Sequence, residues 1–381
     1  MMPEPLVRYE RMLNQLEQKG RRRVLAQRSG IDFTSNDYLG LAESPRLNAA
    51  AASALERGVA VGAGGSRLLR GNHPEHEALE AEAAAFFRCE RALFFGSGYA
   101  ANVAILSTLP QRGDVIVHDL LVHASTRAGI AAGLADAVAI SHNDVGAFDD
   151  AIRNWRKAGG TGHPWIAVES LYSMDGDRAP LPELAKLADR HNGFLLVDEA
   201  HATGVYGTDG RGLSADLEGS DNVVVLHTCG KALGAAGALV TGNRLLLDFL
   251  VNRARPFIYA TAPSPLLAAS VRESLRILAD EPERREKLLD LIAFANEQLI
   301  SWLGIEGSGS QILPVVIGDN GRTVRIAGRM QMEGFDIRAI RPPTVPEGTA
   351  RLRITITLNV DAAKIIRMLD RLSHVMAEET P

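Results

Sequence analysis

Short apolar segments alternate with helix-like segments between about residue 75 and residue 250 of this chain. The apolar segments read RALFF, DVIVHD, DAVAISH, WIAVES, GFLLVDEA and NVVVLHT. Runs of this length indicate buried strands, and the segments between them, such as LPELAKLADRHN, indicate helices. This alternation predicts an α/β fold in which a mostly parallel sheet is covered by helices on both faces.

The pattern changes after the segment RPFIYATAPSP. A long helical stretch at about 266–303 precedes shorter strands mixed with helices, which is typical of an α+β domain. Near the N-terminus, residues 4–23 place apolar and charged side chains at helical spacing. We therefore expect an N-terminal arm or helix over residues 1–40, a large α/β domain over 41–265 and a smaller α+β C-terminal domain over 266–381.

Composition excludes several classes of protein. The 41 Lys and Arg against 46 Asp and Glu give a net charge of −5, so we expect no nucleic-acid partner. Cys89 and Cys229 are far apart in the sequence, so we expect no disulfide framework, no metal site and a reducing compartment. Because the first segment is charged throughout and no run of about 18 apolar residues exists, we expect no signal peptide, no membrane partner and a cytoplasmic location.

Lysine is scarce in this chain, with six residues in all. Five of them lie in charged or helix-like surroundings, whereas Lys231 follows the apolar run NVVVL and has small residues around it. A lysine in such a place costs free energy unless it is paired or used. From this stretch alone, two interpretations stay open: an amine that forms a Schiff base, or a lysine at a strand end that extends to water.

Polar residues follow several of the predicted strands, where ligands of an open α/β sheet gather. The segment GSGYAAN (96–102) could hold a phosphate at a helix start, although glycine turns of this kind also occur without that role. Asp198 and His201 follow GFLLV and could serve a heterocycle or a metal. A solvated pair of Asp198 and Glu199 is the alternative interpretation.

Three more strand ends carry polar side chains. His123 follows DVIVHD, Ser173 follows WIAVES, and Thr228 and Lys231 follow NVVVL. Taken singly, His123 could be structural and Ser173 could be a turn residue. A phosphate seat, an imidazole, a hydroxyl, an Asp/His pair and an amine at one sheet edge together match the needs of pyridoxal 5′-phosphate. This combination favours the Schiff-base interpretation of Lys231.

The sequence resembles fold-type I pyridoxal-phosphate enzymes of the α-oxoamine synthase family along nearly its whole length. The motifs that carry the resemblance are FTSNDYLGL, GAGGSRLLRGNHPEHEALE, GSGYAAN, HAS, SMDGDRAPL, VDEAHATGVYG, HTCGKALG and RLRIT. The resemblance implies a fold-type I transferase with a large domain and a smaller C-terminal domain. It further implies a C-acyltransferase that acts as a homodimer with shared active sites.

The segment IRPPTVPEGTARLRIT (340–355) is similar to that of family members that condense L-alanine with pimeloyl-CoA or a pimeloyl carrier protein in biotin biosynthesis. A second hypothesis is the same fold acting on glycine and acetyl-CoA. A third is a cofactor-binding protein or an inactive regulatory subunit, against which the intact lysine and Asp/His pair argue. A nucleotide-dependent dehydrogenase is poorly supported, because no G-x-G-x-x-G follows the first strand.

The resemblance also implies roles at the cofactor. Lys231 would form the Schiff base and remove the α-proton of the amino acid. Asp198 would pair with the pyridine nitrogen, and His201 would contact the phenolic oxygen. His123 would stack on the ring and approach the substrate. The remaining cofactor contacts would come from Gly98, Tyr99, Ser173, Thr228 and, across the dimer, Thr261.

Substrate contacts are implied in the same way. Arg353 would bind the carboxylate of the amino acid, with Asn36 and His123 nearby, because a guanidinium fork suits a carboxylate. Arg21 and Thr344 would contact the acyl substrate. The short stretch after the arginine run leaves Arg22 or Arg23 as an alternative to Arg21.

Overall fold

The computed structural model describes residues 3–379 of the chain. Residues 1, 2, 380 and 381, which the predicted arm and C-terminal domain include, lie outside the described residues. The backbone divides into two compact units. The sheet unit comprises Asn36–Ser173 and Arg178–Glu286, and the C-terminal unit comprises Met1–Ser35, Met174–Asp177 and Lys287–Pro381. The three-part division expected from the sequence placed the last boundary earlier, at residue 265, and remains a proposal.

The helices of the described residues range from one turn to six turns in length. They are α1 (Glu4–Gln18), α2 (Pro45–Glu56), α3 (Pro74–Phe87), α4 (Gly98–Thr108), α5 (Ala124–Ala132), α6 (Val145–Lys157), α7 (Leu181–Arg190), α8 (Arg244–Arg253), α9 (Arg255–Ile258), α10 (Pro265–Asp280), α11 (Pro282–Leu303), α12 (Asn320–Met332) and α13 (Ala362–Glu378). The long helical stretch expected at about 266–303 is thus two helices. Pro282 begins the second of them, as expected of a residue favoured in the first helical turn.

The strands are short, with between two and seven residues each. They are β1 (Ile31–Asp32), β2 (Arg91–Phe95), β3 (Val115–Asp119), β4 (Asp136–Ile140), β5 (Pro164–Glu169), β6 (Phe194–Asp198), β7 (Val223–Thr228), β8 (Ala238–Gly242), β9 (Ile312–Gly318), β10 (Phe335–Asp336), β11 (Ala339–Ile340) and β12 (Ala350–Thr355). All six strands expected between residues 75 and 250 are present.

The sheet unit is built on a seven-stranded sheet with the order β2-β8-β7-β6-β5-β3-β4. Neighbouring strands from β7 to β4 pair in parallel, whereas β8 is antiparallel to both β7 and β2. The expected α/β fold with a mostly parallel sheet is therefore confirmed. The antiparallel β8 was not predicted from the sequence.

Both faces of this sheet are covered by apolar packing, because side chains alternate between the faces along each strand. On one face, Leu196 and Val224 pack in a cluster that includes residues of α4 and α8. On the other face, Leu195 and Val225 pack with residues of α6 and α7. Two covered faces explain why the strands read as nearly continuous apolar runs.

The C-terminal unit contains two smaller sheets. Strands β11, β12 and β9 form a three-stranded antiparallel sheet, and β1 pairs in parallel with β10. The segment expected to be α+β therefore has mixed strands and helices as predicted. Within residues 3–379, no helix combines the length and the apolar character needed to span a bilayer.

Candidate active site

The parallel strands of the sheet unit end at one edge, as the sequence pattern predicted. Strands β7, β6, β5 and β3 are four consecutive strands in the sheet order. Their last residues are Asp119, Glu169, Asp198 and Thr228. Because strands of one direction end on one side of a sheet, the loops that follow them lie together there.

Lys231 lies in the loop that joins β7 to the antiparallel β8. The backbone N–H of Cys229 donates to the carbonyl oxygen of Gly237 at 2.9 Å, and the N–H of Ala235 donates to the carbonyl of Cys229 at 2.9 Å. The N–H of Gly234 donates to the carbonyl of Lys231, also at 2.9 Å. These bonds hold the loop in a closed turn. The backbone from which the half-buried side chain of Lys231 extends is therefore fixed in position.

The amine of Lys231 is held by a chain of polar side chains. Lys231 Nζ lies 2.6 Å from His201 Nε2, and the other ring nitrogen of His201 lies 2.5 Å from the hydroxyl of Tyr38. The Tyr38 hydroxyl also donates to Asn36 Oδ1 at 3.1 Å. With that donation, His201 Nδ1 donates to Tyr38, and Nε2 accepts from the amine. The imidazole thereby orients Lys231 and links it to a buried tyrosine.

Tyr38→Phe tests the hydrogen bonds that link Tyr38 to His201 and Asn36. Tyr38 is fully buried, so removing its hydroxyl takes a hydrogen-bonding partner from His201 and Asn36 and should lower the free energy of unfolding by about 1–2 kcal/mol. Chemical denaturation of the purified protein measures this loss. Tyr9→Phe, at an exposed position on α1, should change stability by less than about 0.5 kcal/mol. Equal losses of stability in the two variants would contradict the hydrogen-bonding role of the Tyr38 hydroxyl.

A second network fixes the carboxylate of Asp198. Asn102 Nδ2 donates to Asp198 Oδ2 at 2.7 Å, and the backbone N–H of Ala200 donates to Oδ1 at 3.0 Å. The same amide of Asn102 lies 3.0 Å from Ser125 Oγ, which lies 2.7 Å from His123 Nδ1. The two donors hold both oxygens of the carboxylate in place. The network thereby presents an oriented negative charge and links it to the imidazole of His123.

His123 caps the start of α5, where its ring accepts a hydrogen bond from the backbone N–H of Ser125 at 3.2 Å. Burial lowers the pKa of His123 below its ordinary value, the negative charge of Asp198 opposes this shift, and the charge of Lys231 adds to it. At neutral pH the ring is therefore uncharged. A neutral imidazole can lie flat on a heterocycle without adding a positive charge to the site.

The start of α4 has the features of an anion-binding site. Ser97 caps the helix by accepting a hydrogen bond from the N–H of Ala100 at 3.1 Å. A side chain at Gly98 would lie 3.5 Å from Thr228 Oγ1, so the helix start and the threonine hydroxyl are neighbours. Free N–H groups at a helix N-terminus, the helix dipole and a hydroxyl together suit a phosphate.

The structure gives the surroundings of two other predicted cofactor residues, Ser173 and Thr261. The backbone N–H of Ser173 donates to Glu169 Oε2 at 3.1 Å, which ties it to the end of β5. Thr261 is exposed in the segment before α10, and the N–H of the next residue, Ala262, donates to the carbonyl of Gly65 at 2.9 Å. The assigned role of Thr261 needs a second subunit and remains a prediction.

Predicted substrate residues of the C-terminal unit have partners within that unit. Arg21 forms an exposed ion pair with Glu347, with the closest atoms at 2.5 Å, and Arg23 Nη2 donates to Thr344 Oγ1 at 3.3 Å. Arg22 instead pairs with Glu17 at 2.5 Å. Thus Arg21 and Arg23 both reach the segment that carries Thr344, which keeps both as candidates for the acyl substrate.

Arg353 is a buried residue of β12. Its Nη1 donates to Thr355 Oγ1 at 2.8 Å. A guanidinium group is suited to a carboxylate ligand, because its N–H groups match the two carboxylate oxygens. Its assignment to the carboxylate of the amino acid remains a prediction.

Comparison with known proteins places the chain in a family. The family model described as aminotransferase class I and II matches residues 28–372. The chain is 44% identical over 349 residues to an 8-amino-7-oxononanoate synthase from Chromobacterium violaceum, covering 91% of this chain and 89% of the relative. It is 43% identical over 357 residues to a synthase of the same name from Anaeromyxobacter dehalogenans, covering 93% and 88%.

The chain belongs to the 8-amino-7-oxononanoate synthase family. The resemblance expected from the motifs is therefore confirmed. Among solved structures, serine palmitoyltransferase from S. paucimobilis, with a bound PLP–myriocin aldimine, superposes with a TM-score of 0.89 at 26% identity, over 99% of each chain. The 8-amino-7-oxononanoate synthase from Francisella tularensis gives a TM-score of 0.77 at 29% identity, over 92% of this chain and 99% of that one.

Four polar residues that form hydrogen bonds with predicted site residues were themselves not predicted from the sequence. They are Tyr38, Asn102, Ser125 and Glu169. Three of them lie inside motifs that were recognised for other reasons, namely SNDYLGL, GSGYAAN and HAST. The polar residue within each of these three motifs was therefore the sequence feature from which these contacts could have been predicted. Within residues 3–379, no group of three or more His, Cys, Asp or Glu residues could hold a metal ion.

Proposed function

We infer that this protein is an 8-amino-7-oxononanoate synthase that uses pyridoxal 5′-phosphate. The reaction joins L-alanine to the pimeloyl group of pimeloyl-CoA or of a pimeloyl carrier protein, and releases CoA or the carrier and CO2. The observation that carries this inference is the 44% identity with the C. violaceum synthase over 91% of the chain. The geometry of the strand ends supports the same chemistry independently.

The residues at this sheet edge fit the cofactor. The set comprises an amine at Lys231, an oriented carboxylate at Asp198 and the start of α4 at Gly98. Asn102 Oδ1 is buried and has no hydrogen-bonding partner among the described residues, so the polar edge has capacity left for a ligand. When bound, pyridoxal phosphate supplies a conjugated ring that withdraws electrons from the α-carbon of the amino acid.

Each side chain of the site then has a defined task. Lys231 Nζ attaches the cofactor and moves the proton at the α-carbon of alanine, and His201 Nε2 orients that amine. Asp198 accepts a hydrogen bond from the pyridine nitrogen, which stabilises the protonated ring. The N–H groups of Gly98 and Tyr99 bind the phosphate. These assignments are proposals supported by the hydrogen bonds around each residue.

The substrate contacts are part of the same proposal. His123 covers the ring and approaches the substrate. Arg353 binds the carboxylate of alanine, because a guanidinium group forms paired hydrogen bonds with a carboxylate. Asn36 is a further substrate residue in this proposal. Arg21 or Arg23 contacts the acyl substrate together with Thr344.

The protein acts as a homodimer in the cytoplasm in this proposal. Thr261 is exposed, as a residue that contacts the cofactor of a second subunit should be. Cys89 and Cys229 are both free thiols, which suits a reducing compartment.

The choice of substrates tests the proposal directly. Purified protein with pyridoxal phosphate should form 8-amino-7-oxononanoate from L-alanine and pimeloyl-CoA, with release of CoA and CO2 in equal amounts. We expect glycine with acetyl-CoA to react at least about 100-fold more slowly in kcat/KM, because pocket contacts of a few kcal/mol separate such substrates. Mass spectrometry of the products and a thiol assay measure both reactions.

The reverse preference would contradict the proposal. In that case, the protein would be a related synthase that uses glycine and a short acyl group. Pimeloyl carrier protein in place of pimeloyl-CoA, assayed in parallel, identifies the acyl donor that the enzyme prefers.

A further inference from the structure

A second buried carboxyl group lies beside Asp198 and has no role in the function described so far. Glu169 is the last residue of β5, and it pairs with Asp198, the last residue of β6, in the parallel register of the sheet. Glu169 is 2% exposed. Neighbouring strands lie about 4.8 Å apart, so carboxyl groups at paired strand ends on one face are close enough to interact strongly.

The contacts of Glu169 differ between its two oxygens. Oε2 accepts a hydrogen bond from the backbone N–H of Ser173 at 3.1 Å. The backbone N–H of His123 also donates to this carboxyl group. No residue in the described part of the chain forms a hydrogen bond with Oε1. A buried charged oxygen without a donor is costly, whereas a protonated carboxyl group carries a smaller desolvation cost.

The surrounding charges favour the protonated form. Burial raises the pKa of Glu169 to about 8, and the negative charge of Asp198 raises it as well. The charge of Lys231 and the N–H groups of Ser173 and His123 oppose this shift. Two negative charges side by side in a buried place repel each other, so the proton on Glu169 removes an unfavourable contact with Asp198.

We propose that Glu169 is a positioning residue that carries a proton at neutral pH and fixes the loops of Ser173 and His123 to the end of β5. The proposal rests on the proposed function, because that function assigns those two residues to the cofactor and the substrate. An uncharged Glu169 leaves Asp198 as the one carboxylate of the pair that faces the pyridine nitrogen. The protein thereby avoids two adjacent negative charges while keeping both loops in place.

Glu169→Gln tests the protonation state through stability, in the full-length protein without cofactor. Because the folded pKa lies above the ordinary value of 4.5, the folded state holds a proton that the unfolded state has released between those values. The stabilising contribution is therefore complete below the ordinary pKa and is lost as pH rises towards 8. Between pH 6 and pH 7.5, the folding equilibrium constant of the wild type should fall by up to about tenfold more per pH unit than that of Glu169→Gln.

Activity of the loaded enzyme provides a second measurement. Glu169→Gln keeps the size and neutrality of the protonated acid, so its kcat and its affinity for pyridoxal phosphate should stay within about threefold of the wild type at pH 7. Wild-type activity should fall above pH 8 as Glu169 ionises, and the Gln variant should lack that fall. Glu169→Ala removes the acceptor for Ser173 and His123, so its affinity for the cofactor should drop by about tenfold or more.

Glu199→Gln is the matched control. Glu199 is also fully buried, and burial raises its pKa. Its oxygens instead accept hydrogen bonds from the hydroxyl of Ser170 at 2.8 Å and from the N–H of Ser214 at 2.5 Å. We expect this variant to change stability without removing the loss of activity above pH 8.

Two results would overturn the proposal: equal pH slopes for wild type and Glu169→Gln, or loss of cofactor from the Gln variant as severe as from Glu169→Ala. If Glu169→Gln does not fold, infrared spectra of the Glu199→Gln protein decide the matter. A carboxylic-acid C=O band at pH 7 that disappears by pH 9 supports the proposal, and its absence overturns it. A wild-type protein that binds cofactor but forms no 8-amino-7-oxononanoate would overturn the proposed function alone, because the stability comparison needs no turnover.

Discussion

Lys231→Ala should lower kcat by at least about 10³-fold, because the variant loses both the amine that attaches the cofactor and the group that moves the α-proton. The side chain is removed from a loop whose shape depends on backbone hydrogen bonds of Cys229, Ala235 and Gly237. The fold should therefore survive, and the circular dichroism spectrum should match the wild type. Single-turnover kinetics with L-alanine and pimeloyl-CoA measure the loss.

The covalent link itself gives a readout that is independent of turnover. After reduction with borohydride and proteolysis, the wild-type peptide containing Lys231 should carry the mass of the reduced cofactor, and the variant should carry none. Lys157→Ala, on the exposed side of α6, is the matched control and should leave both kcat and labelling unchanged. A Lys231→Ala protein that turns over at the wild-type rate would remove the basis of the proposed function.

Asp198→Asn should lower kcat by about 10²–10³-fold, the size of effect seen when a preorganised electrostatic partner is removed from a site. The amide has nearly the same shape as the carboxylate but carries no negative charge, so the protonated pyridine nitrogen loses its stabilising partner. The neighbouring Asn102 can still donate to the remaining carbonyl oxygen. We therefore expect the fold to remain intact and the visible absorbance of the bound cofactor to change.

Steady-state kinetics and absorbance spectra over a range of pH measure this effect. The replacement should affect kcat more than KM for L-alanine, because the lost interaction acts on charge that develops during the reaction. Asp136→Asn, at an exposed position on the edge strand β4, is the control for a lost surface carboxylate. An Asp198→Asn enzyme with a wild-type kcat would show that another group protonates or stabilises the ring.

Local sequence patterns were sufficient to predict most of the sheet and the residues at its edge. The apolar runs identify β2 to β7, and all of these strands except the exposed edge strand β4 are buried on both faces. Strand β8 escaped prediction because GALVTG is short, contains glycines and follows other small residues. Its place between β2 and β7 depends on partners that lie far away in the sequence.

The side-chain networks were beyond sequence reasoning for a similar reason. Tyr38 lies 163 residues from His201, and Asn102 lies 96 residues from Asp198. Each motif identifies its own polar residues, but only the three-dimensional fold determines which of them form hydrogen bonds with each other. The burial of Glu169 was not predicted for a different reason. A glutamate at the end of an apolar strand usually indicates that the chain becomes exposed to solvent there. Its burial follows from the loops that cover the sheet edge.

The position of β8 also has a consequence for the order in which the protein is made. Arg91 of β2 pairs with Gly242 of β8, so β2 has no partner strand until the ribosome has synthesised β8. At about 5–20 residues per second, this delay lasts on the order of ten seconds. Leu93, Phe94 and Phe95, fully packed in the finished protein, stay without their partner during that time. Nascent chains of this protein therefore expose a strand that chaperones can bind.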